Sequence, residues 1–552
     1  MTVDKTSPVE GDPSTKPMPM RRWLALATVA LGVSLIVMDA TVVNVALPVI
    51  IRDLHLSSTQ AEWMNAVYAL MFAALLLTAG RIGDLFGRRK LFLVGMAVFV
   101  VASVVAGTSA SASALVAARL VQGIGAAMIL PATLSTVNAL FVGKERAIAF
   151  AVWGSTIGGM AAVGPLVGGW LTTDFSWRWA FWINVPVGLL VVAGIILVVP
   201  ETRDEKTARG LDGLGVALSA LGLGAIVFSL IEGQRYGWWR QESGALSPIP
   251  FVLASGVILM VVFVRTQRSR ARFGRVVLVD LGLLGVRSFR YGSIAALVVS
   301  LGEFGLLFTL PLLLQNALGF SPLGTGWLIV SLAVGTFLVS GATPALTNRL
   351  GARAVVRIGL GIEAIAVAGL AITLAADTSG WAIAGWLFGY GVGVGMATAQ
   401  LTSVILAEIP VAESGQASGL QSTFRQLGSA LGVAILGTLL ITTLGRSTGT
   451  NLEVAGVPAA AQPPIVQAVT GSAGAVIPAL QASPTTAAAG DAAAAGMIHA
   501  SKVTTGVAAL IIGFGLAATL ALPKLPTPSA DDSDSSLTPA RRRRRTGSEV
   551  TD

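Results

Sequence analysis

The chain has 552 residues, of which 54% are hydrophobic and only 12% charged, with a mean hydropathy of +0.77 and a formal net charge of +9. Soluble globular chains carry roughly a quarter charged residues, so the composition excludes that class and points to a chain that crosses a membrane many times. With no cysteine and two histidines, His55 and His499, it excludes a disulfide scaffold and thiol chemistry, and no metal or other cofactor is expected. The positive balance does not indicate nucleic acid, because its cations fall in links between apolar runs, as the positive-inside rule requires.

Residues 1–22 form a polar tail with no apolar core before Trp23, so the first span is itself the expected insertion signal. A span needs about 20 apolar residues, and fourteen runs qualify. Six lie at 23–48, 61–79, 91–108, 113–136, 149–171 and 181–199. Two follow at 212–231 and 248–264, and six more at 291–315, 325–343, 356–375, 381–403, 418–441 and 503–522. Of the 37 Lys and Arg residues, 29 then fall on the side of the N-terminus (with Arg357, at the very start of its span, among them), 6 on the other side, and 2, Arg119 and Arg425, deep inside spans. That asymmetry places both termini in the cytosol.

The expected organisation is a bundle of six helices at 23–199, two extra spans with cytosolic connectors at 200–290, and a second six-helix bundle at 291–522. The connector 265–290 contains apolar Val276 to Leu284, read as an amphipathic surface helix. Residues 444–502, rich in Ala, Gly, Thr and Pro, read as a long outer loop with a short helix near Ile465 to Leu480. The tail 523–552 reads as disordered, with its run Arg541 to Arg545 placed to meet anionic lipid. Asn348-Arg349-Leu350-Gly351-Ala352-Arg353 aligns with Asp84-Leu85-Phe86-Gly87-Arg88-Arg89, 264 residues earlier. Such a repeat indicates two related bundles.

Ionisable residues inside spans are functional candidates by default. Asp39 lies about 24 Å along span 1, where a carboxylate could exchange protons or fix helix packing through hydrogen bonds. Arg119 and Gln122, three apart in span 4, share a helix face. Arg119 stays charged and could tune a nearby carboxylate or form a structural ion pair; it is expected beside Asp39. Glu303, midway along span 9, is a second proton or cation candidate. Gln315 and Asn316 read as substrate-facing or interfacial, Glu363 as reaching headgroups, and Glu232 with Arg235 as a solvated pair. In the link Gly80-Arg81-Ile82-Gly83-Asp84-Leu85-Phe86-Gly87-Arg88-Arg89-Lys90, the cations anchor the cytosolic side. Asp84 could bind donors on a neighbouring helix end and act as a latch. In span 5, Gly154, Gly158, Gly164, Gly168 and Gly169 permit close helix packing, and Pro165 bends the helix. Trp177, Trp179 and Trp182 fit an interfacial belt.

Four of these segments resemble motifs of the major facilitator superfamily, and in particular its fourteen-span drug:proton antiporters. They are the link at 80–90 (with Leu85 where the family usually has Arg), Asp39-Ala40-Thr41-Val42-Val43-Asn44-Val45-Ala46-Leu47-Pro48, Arg119-Leu120-Val121-Gln122-Gly123-Ile124-Gly125-Ala126-Ala127, and Gly164-Pro165-Leu166-Val167-Gly168-Gly169. The resemblance covers essentially all of the membrane part. It implies an all-α fold of two six-helix bundles plus two central spans, and no enzyme activity. It also implies proton-coupled export of small, mostly apolar or cationic compounds, with Asp39, Arg119, Gln122 and Glu303 at the coupling and substrate site. Gly80, Asp84, Gly87, Arg88 and Arg89 would form the cytosolic gate. Export of an endogenous metabolite or lipid, import, and a non-transporting sensor or scaffold are the other classes open.

Overall fold

The computed structural model describes residues 19–141, 143–202, 210–241, 245–409 and 414–522. The charged connector at 203–209 and the arginine-rich tail lie outside the described residues. The rest is helical: α1 (Pro19–Leu54), α2 (Ser58–Phe86), α3 (Arg88–Thr108), α4 (Ala112–Leu140), α5 (Gly143–Asp174), α6 (Trp179–Trp182), α7 (Asn184–Val198), α8 (Gly213–Tyr236), α9 (Ile249–Arg272), α10 (Arg287–Asn316), α11 (Pro322–Leu350), α12 (Ala352–Thr373), α13 (Gly380–Leu406), α14 (Ser414–Val454), α15 (Gln462–Gly471), α16 (Ile477–Ala482) and α17 (Ala487–Ala518). Among the described residues, thirteen helical stretches are long and apolar enough to cross a membrane. The remaining expected span, 149–171, lies within α5, a helix of 32 residues packed against α1 and α11.

The repeat is built into the helix ends. α2 and α11 have 29 residues each, and their bounds differ by the same 264 positions. Ser57 caps α2 by accepting from the Gln60 amide, and Ser321 caps α11 by accepting from the Gly324 amide. Gly87 and Gly351 terminate these helices with φ of 115° and 81°, a region that side-chain-bearing residues avoid. Between α2 and α3 the expected link therefore shrinks to one residue, Gly87, and Asp84 lies in the last turn of α2.

Calling the side of Pro19 the near face and the other the far face, the chain crosses alternately. Several far-face contacts join the first six spans to the last six. Gly168 and Gly169 set α5 between α1 and α11. A Cβ on Gly168 would stand 2.9 Å from the Val42 backbone, and one on Gly169 would stand 2.6 Å from the Pro322 carbonyl. Gln315 donates to the Val45 carbonyl at 2.8 Å and Asn316 to the Ala473 carbonyl at 3.3 Å. Both are buried, so they tie helices together and face neither substrate nor the membrane surface.

Two expected loops differ. The segment 444–502 is mostly helix: α14 runs on to Val454, α17 begins at Ala487, and α15 and α16 lie between. Alanine is the best helix former, and Gly496 lets α17 approach α14 beside Thr448. Within 265–290, α9 continues to Arg272, and the apolar stretch then forms only a 3₁₀ turn, Leu281–Gly285. Val279 and Leu283 are buried against the second half, so this stretch packs on protein and is not a surface helix.

Candidate functional site

The first polar centre lies inside the first six helices. The Arg119 guanidinium meets Asp39 at 2.5 Å, Gln122 donates to the other Asp39 oxygen at 3.1 Å, and Asn184 donates to that oxygen at 2.7 Å. Arg119 also donates to the Gln122 side-chain oxygen (2.9 Å) and the Met64 carbonyl (3.3 Å), and lies over the Tyr68 ring, 4.2 Å from its centroid. Ser103 accepts from Gln122 and Asn184. Asp39, Gln122, Asn184 and Ser103 are 0% exposed and Arg119 is 1% exposed. The motif residues of spans 1 and 4 thus meet as expected, completed by Ser103 and Asn184 from α3 and α7. Here the carboxylate is dry, ion-paired and fully bonded.

The second centre lies in the later helices and differs in kind. Glu303 stands the same 264 residues after Asp39 as α11 stands after α2. It lines a small cleft with Arg425, Gln421, Ser300, Thr398 and Thr402. At the positions corresponding to Arg119 and Gln122 the chain has Ile383 and Trp386, so among the described residues these two α13 positions offer Glu303 no counterpart of the bonds that α4 makes to Asp39. Glu363, from the middle of α12, is 1% exposed, and neither of its carboxylate oxygens has a hydrogen-bond partner among the described residues. It does not reach the membrane surface: its stem lies against α13, where Gly393 admits it.

Two other acids lie against the extra helices. Glu62 of α2 is 2% exposed and rests beside Gly437 of α14. Glu232 of α8 is 7% exposed and accepts from the Trp63 indole at 3.0 Å. Arg235 approaches Glu232 only to 3.7 Å, with its own side chain 66% exposed. The pair is therefore largely desolvated at its acidic end, not solvated. Trp177 likewise turns inward; it is 2% exposed and donates to Asp53 at 2.8 Å, while Arg178 pairs with the same carboxylate at 2.9 Å. Trp179 is 42% exposed and suits an interfacial belt better.

At the near face, Asp84 pairs with Arg88 at 2.8 Å, and Arg88 donates to the Ser135 carbonyl at 3.3 Å. Glu201 accepts from the Arg89 amide at 3.0 Å, and the Arg89 side chain donates to the Ile196 carbonyl at 2.7 Å. Gly80 packs on Pro131 of α4, and Gly87 leaves room for the Glu201 carboxylate. These bonds stay within the first half. In α5, Gly164 lies on Thr41 of α1, and the Pro165 carbonyl touches Gly326 of α11. Gly154 and Gly158 lie outside the residues whose surroundings are described.

The model for the Major Facilitator Superfamily matches residues 29–433. The chain belongs to the major facilitator superfamily. It is a multi-pass membrane transporter and not an enzyme. Among curated relatives it is 37% identical to the puromycin resistance protein pur8 of Streptomyces alboniger, over 78% of this chain and 84% of that one. It is 34% identical to the probable actinorhodin transporter of Streptomyces coelicolor (80% and 77%). It is also 34% identical to the multidrug efflux pump LfrA of Mycolicibacterium smegmatis (78% and 83%). Among solved structures it resembles a bacterial homolog of the human lysosomal transporter Spinster, with a TM-score of 0.60 and 18% identity over 92% of this chain and 98% of that one, which shows the fold.

Proposed function

We propose that this transporter exports small drug-like compounds from the cytosol in exchange for protons, and that Glu303 is the carboxylate at which this conformation exchanges its proton. The observation that carries the reading is the contrast between the two centres. Asp39 is closed in by three donors, whereas Glu303 lies beside Arg425 in a cleft, with no ion pair to it among the described residues. Relatives named for drug efflux and antibiotic resistance support export, and the cation asymmetry supports cytosolic termini.

On this reading 23–199 and 291–522 are the two moving bundles, with 200–290 as their connector. The far-face contacts of α5 with α11 and of α1 with α10 close the outer side. Asp39, Arg119 and Gln122 form a charge pair that exchanges a proton only when the bundles rearrange. Gly80, Asp84, Gly87, Arg88 and Arg89 brace the cytosolic ends of α2 and α3, ready to meet the second bundle when that side closes. The basic loops and the Arg541 to Arg545 run contact anionic lipid. The membrane potential supplies about 2.3 kcal/mol per proton per 100 mV, enough for a substrate gradient on the order of fifty-fold.

The test is uptake of puromycin and methyl viologen into inverted vesicles under an imposed proton gradient. Wild-type protein should accumulate at least one of them and lose the gradient dependence on Glu303→Gln. Gradient-driven accumulation that persists in the variant contradicts the assignment.

A further inference from the structure

Three parts of the chain meet at the far face. Glu62 lies four residues after the start of α2, in the first bundle, and Glu232 four residues before the end of α8, an extra span. Each is therefore about 6 Å inside its helix end. Gly437 and Thr438 belong to α14, in the second bundle. A Cβ on Gly437 would stand 2.9 Å from the Glu62 carboxyl carbon, so glycine there admits the acid into the seam between the bundles. Trp63, the next residue on α2, donates to Glu232 at 3.0 Å, and Arg235 approaches Glu232 from the exposed side. The Thr438 hydroxyl donates to the Leu230 carbonyl of α8 at 3.0 Å and is also bonded to Glu62, whose Oε2 has no partner among the described residues. On the other elements packed against α2, Arg119 of α4 and Asp39 of α1 bond each other, and Asp53 of α1 bonds Arg178 beside exposed Arg52. The cations of α3 lie in its first turn at the near face, α15 carries no charge, and the charged residues of α14 (Arg425, Arg446, Glu453) lie at least nine residues from Gly437.

A hydroxyl has one proton to give, and a carbonyl can only accept. The Leu230 carbonyl takes the Thr438 proton, so the bond between Thr438 and Glu62 holds at the same time only if Glu62 supplies its hydrogen. Glu232, fixed by Trp63 and Arg235, already brings one negative charge to the seam, and a second carboxylate beside it, away from water, is costly. We propose that Glu62 is a proton-binding site that latches the far face: protonated, it donates to Thr438 and ties α2 to α14 and α8; ionised, it leaves the seam for water and the bundles part there. The latch rests on the export reading only for the source of the proton. With the far face open, the Glu62 carboxylate stands in water and takes a proton from it, forming the O–H bond. Closure carries that O–H onto the Thr438 oxygen. Protons outside thus set when the outer side shuts, and the extra span α8 takes part through Leu230 and Glu232. The proton stays on Glu62 while the far face is closed, so it is distinct from the one exchanged at Glu303.

The experiment is a pulsed electron-spin distance measurement on the full-length protein in liposomes. Labels at Phe175→Cys and Phe320→Cys span the far face, where the Leu323 amide donates to Thr173 at 3.1 Å. The pH runs from about 5 to about 9, a range in which buried carboxyls titrate. In wild type the ratio of closed to open far face should fall as pH rises, by up to about tenfold per pH unit for one proton. Glu62→Gln keeps a donor for Thr438 and cannot ionise, so it should stay closed across the range. Thr438→Val removes the acceptor and should open at lower pH than wild type. A wild-type ratio that does not change with pH, or a wild-type slope retained in Glu62→Gln, overturns the proposal. Infrared spectra at neutral pH give a second reading: wild type should show a C=O band of a protonated carboxyl that Glu62→Gln lacks, and a spectrum unchanged by that substitution also overturns it. Neither reading uses transport and both should persist in Glu303→Gln, so the latch holds or fails separately from the assignment of Glu303. Each variant is first checked for monodisperse elution and wild-type helicity, which separates misfolding from a lost proton site.

Discussion

Removing Arg119 while keeping Asp39 leaves a carboxylate at 0% exposure with two amide donors and no cation. Breaking a buried pair from one side typically costs about 3–5 kcal/mol, because the surviving charge is uncompensated. Arg119→Leu and Asp39→Asn should therefore each destabilise the protein by an amount in that range. The double variant leaves no unpaired charge, and the leucine side chain fills much of the space of the Arg119 stem against Tyr68. It should lose less than the two singles together, with a coupling energy of about 2–3 kcal/mol. Reversible unfolding in mixed micelles, titrated with denaturing detergent, gives the four free energies. Losses that add to within about 0.5 kcal/mol would mean the two groups are independent, and the account of a locked first centre would be wrong.

Gly169→Val should separate α5 from α11 at the far face, because its Cβ meets backbone atoms of Pro322 and Leu323; overpacking of this kind costs about 1–3 kcal/mol. The chain has no cysteine, so spin labels on introduced cysteines at Phe175 and Phe320 report the separation directly, and an unchanged distance distribution argues against the contact. Gly87→Ala combines a positive φ with crowding by Glu201. It should destabilise the α2–α3 junction by about 1–2 kcal/mol, seen as a lower melting temperature and faster proteolysis near the 80–90 link. Glu62→Met replaces a buried acid that has an unbonded oxygen with an apolar side chain, and such changes are often neutral or stabilising. A large drop in melting temperature would show that the bond between Glu62 and the Thr438 hydroxyl outweighs the cost of burying the acid.

The motifs disclosed Asp39, Arg119 and Gln122 because their spacing on two helices is local. Asn184 lies in the run Trp177 to Pro186, which also resembles the family, but nothing in that run marks it as a partner of Asp39; Ser103 comes from a helix whose register against α1 depends on the whole bundle, and no pattern in the chain marks it. The 264-residue repeat is legible at Asp84 and Asn348 and also relates Asp39 to Glu303, of which one is capped and the other open only in the folded chain. Glu363 read as a headgroup contact because helix position alone does not tell which way a side chain faces. Gly393 on α13 decides that it faces inward. The same blindness to partners made the Ala- and Gly-rich stretch after Leu444 look like a loop. Small residues are uninformative by hydropathy, and only the approach of α17 to Thr448 shows that they are packing surface.

The most direct measurement of the central claim is the pH change in a weakly buffered solution of purified protein on adding a transported compound. Wild type should release protons, Glu303→Gln should release none while still binding the compound, and Asp39→Asn should change the amount less than Glu303→Gln does. Proton release of wild-type size from Glu303→Gln would contradict the account.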